Sequence, residues 1–195
     1  WAEIVDLWRE VETSGWDIAC VTDHFMPNTP SRAGPTNEGW STLAALAALV
    51  PRLQVGTIVL GNTYRHPAVV AKMAAQVDII SGGRLLLGMG AGWQANEHEA
   101  YGIPFYTLRE RLARLDEACH VLKSLWTEER STFSGEYYQL SDAPLDPKPV
   151  QTPHPELMIG GRGEKVTMRI AAQHADHGNA WGGPAVHRQK RAVLE

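Results

Sequence analysis

Apolar residues occur along the chain in two patterns, one with the period of a helix and one as short continuous runs. Residues 1–11 carry apolar side chains three and four positions apart, and residues 18–21 form an apolar run that stops at Asp23-His24. The same alternation continues along the rest of the chain. The pattern predicts further helices over 43–49, 68–80, 96–101, 108–126, 164–174 and 185–195, and strands over 18–21, 53–60, 84–89, 157–159 and 179–181.

The predicted strands are apolar throughout, which is typical of a parallel sheet covered by helices on its faces. Two architectures fit this alternation of helices and strands: a (β/α)8 barrel and an open, doubly wound sheet. A barrel has eight strands, whereas the pattern predicts five. The chain also opens and closes inside helical patterns. A barrel formed by this chain would therefore lack its first strand and its last strands, and the chain would be a fragment.

Residues 128–155 are expected to form an insertion within a single domain over 1–195. The stretch 132–138 places Gly135 between residues that favour strands, which predicts a small hairpin. The prolines that follow predict an extended connector.

Composition and charge exclude several classes of partner. The chain is 44% hydrophobic and has a formal net charge of −4, which argues against nucleic acid or an anionic membrane as a partner. The basic residues within 187–191 are interpreted as a solvated helix face. No apolar run reaches the length of about 18 residues expected of a membrane span. Two distant cysteines give no disulfide framework, which fits a cytoplasmic protein.

Asp23 and His24 are the first candidates for chemistry. They follow a predicted buried strand, and α/β folds place their functional groups at the carboxyl ends of parallel strands. His24 could donate a proton or a hydrogen bond to a bound ring, and Asp23 could fix a loop or a ligand hydroxyl. The structural alternative is a loop cap followed by a packed histidine.

Two glycine-rich stretches also follow predicted strands. The first stretch, with Gly88, Gly90 and Gly92, has the spacing Gly-x-Gly-x-Gly, whereas a dinucleotide fingerprint has the spacing Gly-x-Gly-x-x-Gly. Close strand–helix packing is therefore a serious alternative explanation for these glycines. Gly160-Gly161-Arg162-Gly163 offers backbone N–H groups and a guanidinium at the start of a helix, which suit a phosphate.

Other kinds of site find little support. His174 and His177 lack the spacing of known zinc motifs, so no metal site is expected. The chain has neither a nucleophile elbow nor a P-loop. A nicotinamide dehydrogenase would need an acidic residue at the end of the strand after the glycine motif. The chain places a long helix, a hairpin and a proline-rich connector in that part instead.

Five stretches, taken together, resemble the bacterial luciferase-like family of flavin- and deazaflavin-dependent oxidoreductases. They are 21–25, 56–67, 81–84, 87–93 with Glu97 and Gly102, and 159–161, in family order. The resemblance implies a (β/α)8 TIM barrel and favours a homodimer. It also implies coenzyme F420, or alternatively FMN, as the cofactor at the barrel mouth.

The resemblance further assigns the residues of the site. His24 would be the proton donor or the group that orients the ring, and Asp23 would meet the ring beside it. A non-prolyl cis peptide is expected at Ile58–Val59. The remaining cofactor contacts would be Val59, Gly61, Ala91, Gly92, Asn96, Gly160 and Gly161, to which the phosphate interpretation adds Arg162 and Gly163.

The implied function is F420-dependent hydride transfer to or from a small organic substrate. The alternatives are an FMN-dependent monooxygenase that uses reduced flavin and oxygen, and a flavin-binding protein without catalysis. The deazaflavin-dependent sugar-phosphate dehydrogenases of the family carry a catalytic Glu where this chain has Trp93. An indole cannot act as a general base. A sugar phosphate is therefore not expected, and Trp93 indicates an apolar or aromatic substrate or a packed wall.

Overall fold

The computed structural model describes residues 1–194. Helices and strands alternate as the apolar pattern predicts. The helices are α1 (Ala2–Thr13), α2 (Gly39–Leu49), α3 (Pro67–Ser81), α4 (Ala95–Tyr101), α5 (Leu108–Thr127), α6 (Thr167–His174) and α7 (Pro184–Leu194). The strands are β1 (Ile18–Val21), β2 (Gln54–Thr57), β3 (Leu60–Gly61), β4 (Leu85–Gly90), β5 (Arg130–Ser134), β6 (Gln139–Pro144), β7 (Glu156–Gly160) and β8 (His177–Asn179).

The main sheet is parallel, and its strands lie in the order β1-β2-β4-β7-β8. The short strand β3 pairs with the carboxyl end of β4. This order follows the order along the chain, whereas a doubly wound sheet reverses direction at a switch point. The sheet is therefore a section of the wall of a (β/α)8 barrel, and the open-sheet alternative is wrong.

The hydrophobic core lies between this sheet and its covering helices. Leu43 of α2, Val70 of α3 and Leu122 of α5 are fully buried in this core. Among the described residues, no helix has the length and the apolar character needed to cross a membrane. The helical layer thus holds the strands in place and leaves their carboxyl ends for the loops of the site.

The second predicted strand is interrupted. The sequence predicts one strand over 53–60, but β2 ends at Thr57 and β3 begins at Leu60. The peptide bond Ile58–Val59 between them is cis, which confirms the expectation drawn from the resemblance. Ile58 is exposed where Leu60 is buried, so the apolar run does not keep one continuous strand register.

Several element boundaries differ from the prediction. Helix α6 begins at Thr167 because residues 164–166 form a turn, and the last strand runs over His177–Asn179 rather than 179–181. The predicted hairpin is confirmed as β5 and β6, which pair antiparallel around the turn at Gly135. Helix α7 covers the last predicted helix except Glu195, which lies outside the described residues.

The proline-rich connector is held to α3 by one buried carboxylate. Asp78 Oδ2 accepts hydrogen bonds from the backbone N–H groups of Val150 (2.7 Å) and Gln151 (3.0 Å). Its Oδ1 accepts a third from the Gln151 side chain at 2.7 Å. A buried carboxylate with this many donors is satisfied, so the connector has a fixed path onto β7.

Candidate active site

Side chains from three segments meet at the carboxyl end of the sheet. His24 follows β1, Tyr64 lies in the loop after β3, and Glu97 lies in α4, which follows β4. In parallel α/β structures this edge collects the loops that carry function. The three residues are joined by hydrogen bonds, although 73 positions separate His24 from Glu97 in the chain.

Glu97 is the centre of this network. Its side chain is 0% exposed. One carboxylate oxygen lies 3.0 Å from His24 Nδ1 and accepts from the Tyr64 hydroxyl, while the other accepts the backbone N–H groups of Phe25 and Met26. Burial alone would raise the pKa of Glu97, but the hydrogen bonds from His24, Tyr64 and Phe25 outweigh it and lower that pKa. Glu97 is therefore an ionised carboxylate at neutral pH.

The same network fixes the His24 ring. Because an ionised carboxylate is only an acceptor, Nδ1 of His24 must carry the proton that it donates to Glu97. Nε2 is then the ring nitrogen left to exchange a proton with a ligand. The His24 side chain is 25% exposed. The imidazole also packs edge-on against Trp93, with ring centroids 5.5 Å apart. His24 is thus held in one orientation and can still be reached from outside.

Asp23 has a different environment from His24. Its carboxylate is buried and accepts from the Gly61 backbone N–H at 3.2 Å and from the Arg65 guanidinium at 2.9 and 3.0 Å. Burial raises the pKa of Asp23, and the Arg65 guanidinium opposes that rise. Arg65 also binds Glu38 at 3.0 Å. Asp23 therefore joins the loops that follow β1 and β3.

The loop after β4 is held by contacts with Thr63 on one side and with helix α5 on the other. Gly92 has a φ of +78°, and a Cβ atom there would lie 2.6 Å from Thr63 Oγ1, so only glycine fits. The Gly92 carbonyl accepts a hydrogen bond from Arg111 of α5. His98 bridges the Gln94 carbonyl (2.8 Å) and the Thr63 hydroxyl (2.6 Å). These contacts fix the backbone beside Trp93 and the start of α4.

The loop 160–163 joins β7 to the turn before α6. Gly161 has a φ of +153° and donates its N–H to the Asn179 carbonyl at 2.9 Å. Its missing Cβ would lie 2.8 Å from Thr167 Cγ2, so a side chain is excluded on two grounds. The ammonium of Lys190 lies 2.9 Å from the Arg162 carbonyl and 2.7 Å from Glu164. The predicted phosphate loop therefore has a lysine beside it.

The predicted cofactor residues all lie at the carboxyl ends of strands β1, β2, β3, β4 and β7 or in the segments that follow them. Three of them, Asp23, Gly61 and Gly160, are buried. The others are at least partly accessible from that edge of the sheet, namely His24, Val59, Ala91, Gly92, Asn96, Gly161, Arg162 and Gly163. Their contacts with a cofactor remain predictions, since accessibility is a requirement for contact and no more.

Tyr64, Glu97 and Lys190 had no assigned role in the sequence. Glu97 belongs to a stretch that carries the family resemblance, but it stands in the first turn of α4, where the helix dipole explains an acidic residue, so no contact with His24 is indicated. Lys190 lies in the basic stretch interpreted as a solvated face, yet its side chain is only 13% exposed and it contacts the 160–163 loop. No local sequence signal identifies either contact, because each joins segments far apart in the chain.

Comparison with protein families gives the identity of the fold. A profile described as luciferase-like monooxygenase matches residues 1–195, the whole chain. This chain therefore belongs to the luciferase-like family, and the resemblance drawn from its motifs is confirmed.

Curated relatives include enzymes with either cofactor. An F420-dependent glucose-6-phosphate dehydrogenase from Kineococcus radiotolerans is 40% identical over 163 residues, which are 83% of this chain and 48% of the relative. An FMNH2-dependent dimethylsulfone monooxygenase from Pseudomonas putida is 34% identical over 172 residues, 87% of this chain and 47% of the relative. The chain thus spans about half the length of the curated relatives it matches.

Solved structures share the fold. An F420-dependent secondary alcohol dehydrogenase in complex with an F420–acetone adduct superposes with a TM-score of 0.83 and 24% identity, covering 98% of this chain and 60% of that one. The coenzyme F420-dependent tetrahydromethanopterin reductase of Methanopyrus kandleri gives a TM-score of 0.84 and 20% identity, covering 100% and 56%. At this level of identity the superpositions establish the barrel fold.

Proposed function

We propose that this chain forms the cofactor-binding part of an oxidoreductase. This enzyme would bind coenzyme F420 and transfer a hydride to or from a small organic substrate. The observation that carries the proposal is the His24 ring, held by buried Glu97 at the carboxyl edge of the sheet. The 40% identity to an F420-dependent relative supports the choice of cofactor. In the same proposal the enzyme is a homodimer, as the family resemblance implies, and it is cytoplasmic, as its two distant cysteines indicate.

The residues at this edge fit such a cofactor. Val59, Ala91, Gly92 and Asn96 would lie against its ring system, and the 160–163 loop with Lys190 would take its phosphate. Because the Gly161 N–H is donated to Asn179, the phosphate contacts would come from the N–H groups of Arg162 and Gly163 and from the Lys190 ammonium. Gln94, beside Trp93, is buried, and its side-chain oxygen and nitrogen have no partner among the described residues. An unpaired buried amide is expected where a water or a polar ligand completes the site.

The protein's own share of the chemistry is a proton transfer. Coenzyme F420, when bound, supplies a ring carbon that accepts or returns a hydride. When a hydride leaves the carbinol carbon of an alcohol, the hydroxyl proton must leave as well. Nε2 of His24 would take that proton, and the carboxylate of Glu97 on Nδ1 would stabilise the resulting imidazolium. In the reverse direction His24 would return the proton to the carbonyl oxygen.

The second candidate is an FMN-dependent monooxygenase, supported by the 34% identity to the Pseudomonas putida enzyme. It would use the same edge of the sheet, because both kinds of relative match the same segment. The two differ in the cofactor they retain, which can be measured directly. Titration of the protein with F420 and with FMN, each followed by its own fluorescence, tests the proposal. FMN binding without F420 binding would replace the proposal with this alternative.

Gly161→Asp should weaken F420 binding at least about tenfold, or about 1.4 kcal/mol. A carboxylate would repel the phosphate, and the φ of +153° does not suit a side chain. Gly178→Ala is the matched control, because a Cβ atom there meets nothing within 4 Å. Equal affinities for Gly161→Asp and the parent protein would remove the phosphate role of the 160–163 loop.

Trp93 is proposed to select an apolar or aromatic substrate. Its side chain is 61% exposed while touching His24, so it presents a large apolar surface next to the proton-transfer group. Trp93→Ala should lower kcat/KM for an aromatic alcohol roughly 10- to 150-fold, from about 1.5–3 kcal/mol of lost apolar burial. Trp16→Ala is the control, because Trp16 is equally exposed but precedes β1 at the opposite edge of the sheet.

The measurement is steady-state F420 reduction with an aromatic alcohol and with glucose 6-phosphate as competing substrates. A fall in kcat/KM for the aromatic alcohol alone in Trp93→Ala supports the assignment. Faster turnover of glucose 6-phosphate than of apolar alcohols by the parent protein would contradict it while leaving F420-dependent hydride transfer in place.

A further inference from the structure

A cluster of three side chains joins the outer helices α5 and α6, away from the network around His24. Asp116 and His120 lie four residues apart on α5, so they share one face of that helix. His174 is the last residue of α6. One potential ligand atom from each of the three lies within 4.8 Å of the others.

The cluster is closed on one side and open on the other. His174 is buried, and its Nε2 lies 3.0 Å from Asp116 Oδ1. Asp116 is a third exposed and His120 is exposed. The His120 and His174 rings meet edge-to-face with centroids 4.5 Å apart. An ion could therefore enter past His120 and keep water on its outer side.

We propose that Asp116, His120 and His174 bind a divalent transition-metal ion of the Zn²⁺ and Co²⁺ class. Two imidazoles and one carboxylate form a donor set that such ions accept, whereas Mg²⁺ and Ca²⁺ prefer oxygen throughout. Ligand bonds of about 2.0–2.1 Å place neighbouring tetrahedral donors roughly 3.4 Å apart. The Asp116–His174 pair is already near that separation, and rotation of the exposed His120 side chain brings in the third ligand.

The simpler explanation is a hydrogen bond that ties α6 to α5. That hydrogen bond explains the contact between Asp116 and His174, but it does not involve His120. His120 is therefore the residue that separates the two explanations. The sequence does not indicate this cluster, because His174 stands beside His177 in the chain whereas its partners lie more than 50 positions earlier. His177 itself pairs with Glu156 at 3.1 Å.

The test is titration of the metal-free protein with Co²⁺, followed by its visible d–d absorption, and with Zn²⁺ by calorimetry. One ion per chain is expected, and Zn²⁺ should raise the Tm because it links two helices. His120→Ala should weaken binding roughly tenfold or more and abolish the rise in Tm. Truncation of an exposed side chain leaves the core intact, and circular dichroism verifies the fold.

His177→Ala is the matched control, since it removes another exposed histidine from the same part of the chain. The proposal requires that this variant bind Co²⁺ and Zn²⁺ as the parent protein does. Absence of saturable binding in the parent protein overturns the proposal and leaves the plain hydrogen bond. Unchanged binding in His120→Ala, or equal losses in His120→Ala and His177→Ala, overturns it too.

Discussion

His24→Ala is expected to reduce hydride transfer roughly 100- to 10,000-fold, the range contributed by a positioned general acid or base. F420 affinity should change far less, because the backbone of the strand ends and the 160–163 loop would still hold the cofactor. The reason lies in the geometry: Nδ1 of His24 is held by Glu97 at 3.0 Å, which leaves Nε2 for the substrate proton. Single-turnover F420 reduction and F420 titration together measure the two effects separately.

His177→Ala is the control for removal of a histidine. His177 begins β8, where it pairs with Met158 in the middle of β7, and it lies outside the network around His24. It is exposed and pairs with Glu156, so its loss should leave kcat unchanged. Added imidazole should restore part of the activity of His24→Ala, because it replaces the missing proton carrier. Full activity in His24→Ala would contradict the assigned role and leave the ring as a packing group.

The order of elements and the fold could be predicted because both depend on periodic burial. The apolar runs at 18–21, 84–89 and 157–159 correspond to strands β1, β4 and β7 to within one or two residues. The break in the second strand was not indicated by its apolar pattern, since Ile58, Val59 and Leu60 are all typical strand residues. The resemblance alone predicts it.

The location of the site could be predicted, but not its internal connections. Parallel strands bring their carboxyl ends together, so His24 and the loop 160–163 could be assigned to one edge from their order alone. Which donors face which acceptors depends on the path of each loop. Glu97, Lys190 and His120 each acquire their partners from a segment at least 25 residues away, and residue type alone does not reveal such contacts.

Glu97→Gln tests whether this carboxylate positions the His24 ring. In the parent protein all four partners of Glu97 act as donors to it. A glutamine brings one oxygen and one NH2 group, so one pair of donors must face the NH2 group. If the NH2 group faces His24, Nδ1 must become an acceptor and the proton moves to Nε2, where it blocks proton uptake from an alcohol.

The expected loss in kcat is roughly 100- to 10,000-fold. In serine proteases, replacing the carboxylate that orients the histidine by an amide lowers kcat about 10,000-fold through the same change of tautomer. Glu99→Gln is the matched control, because Glu99 lies in the same helix with its side chain 81% exposed. Nitrogen-15 chemical shifts of the His24 ring would report the tautomer directly, and a purely structural role for Glu97 would leave that tautomer unchanged.

The Glu97 carboxylate should also make the free energy of unfolding depend on pH. Because the folded-state pKa of Glu97 lies below its ordinary value of 4.5, the carboxylate stabilises the fold fully above that ordinary value. This contribution is lost as the pH falls through the lower folded-state value. The free energy of unfolding of Glu97→Gln should therefore be about 2 kcal/mol lower than that of the parent protein at pH 7. This difference should become smaller in acid. If urea unfolding gives the same difference in free energy from pH 7 down to pH 3, the charge of Glu97 contributes nothing to stability. The amide would then destabilise the fold through its shape alone.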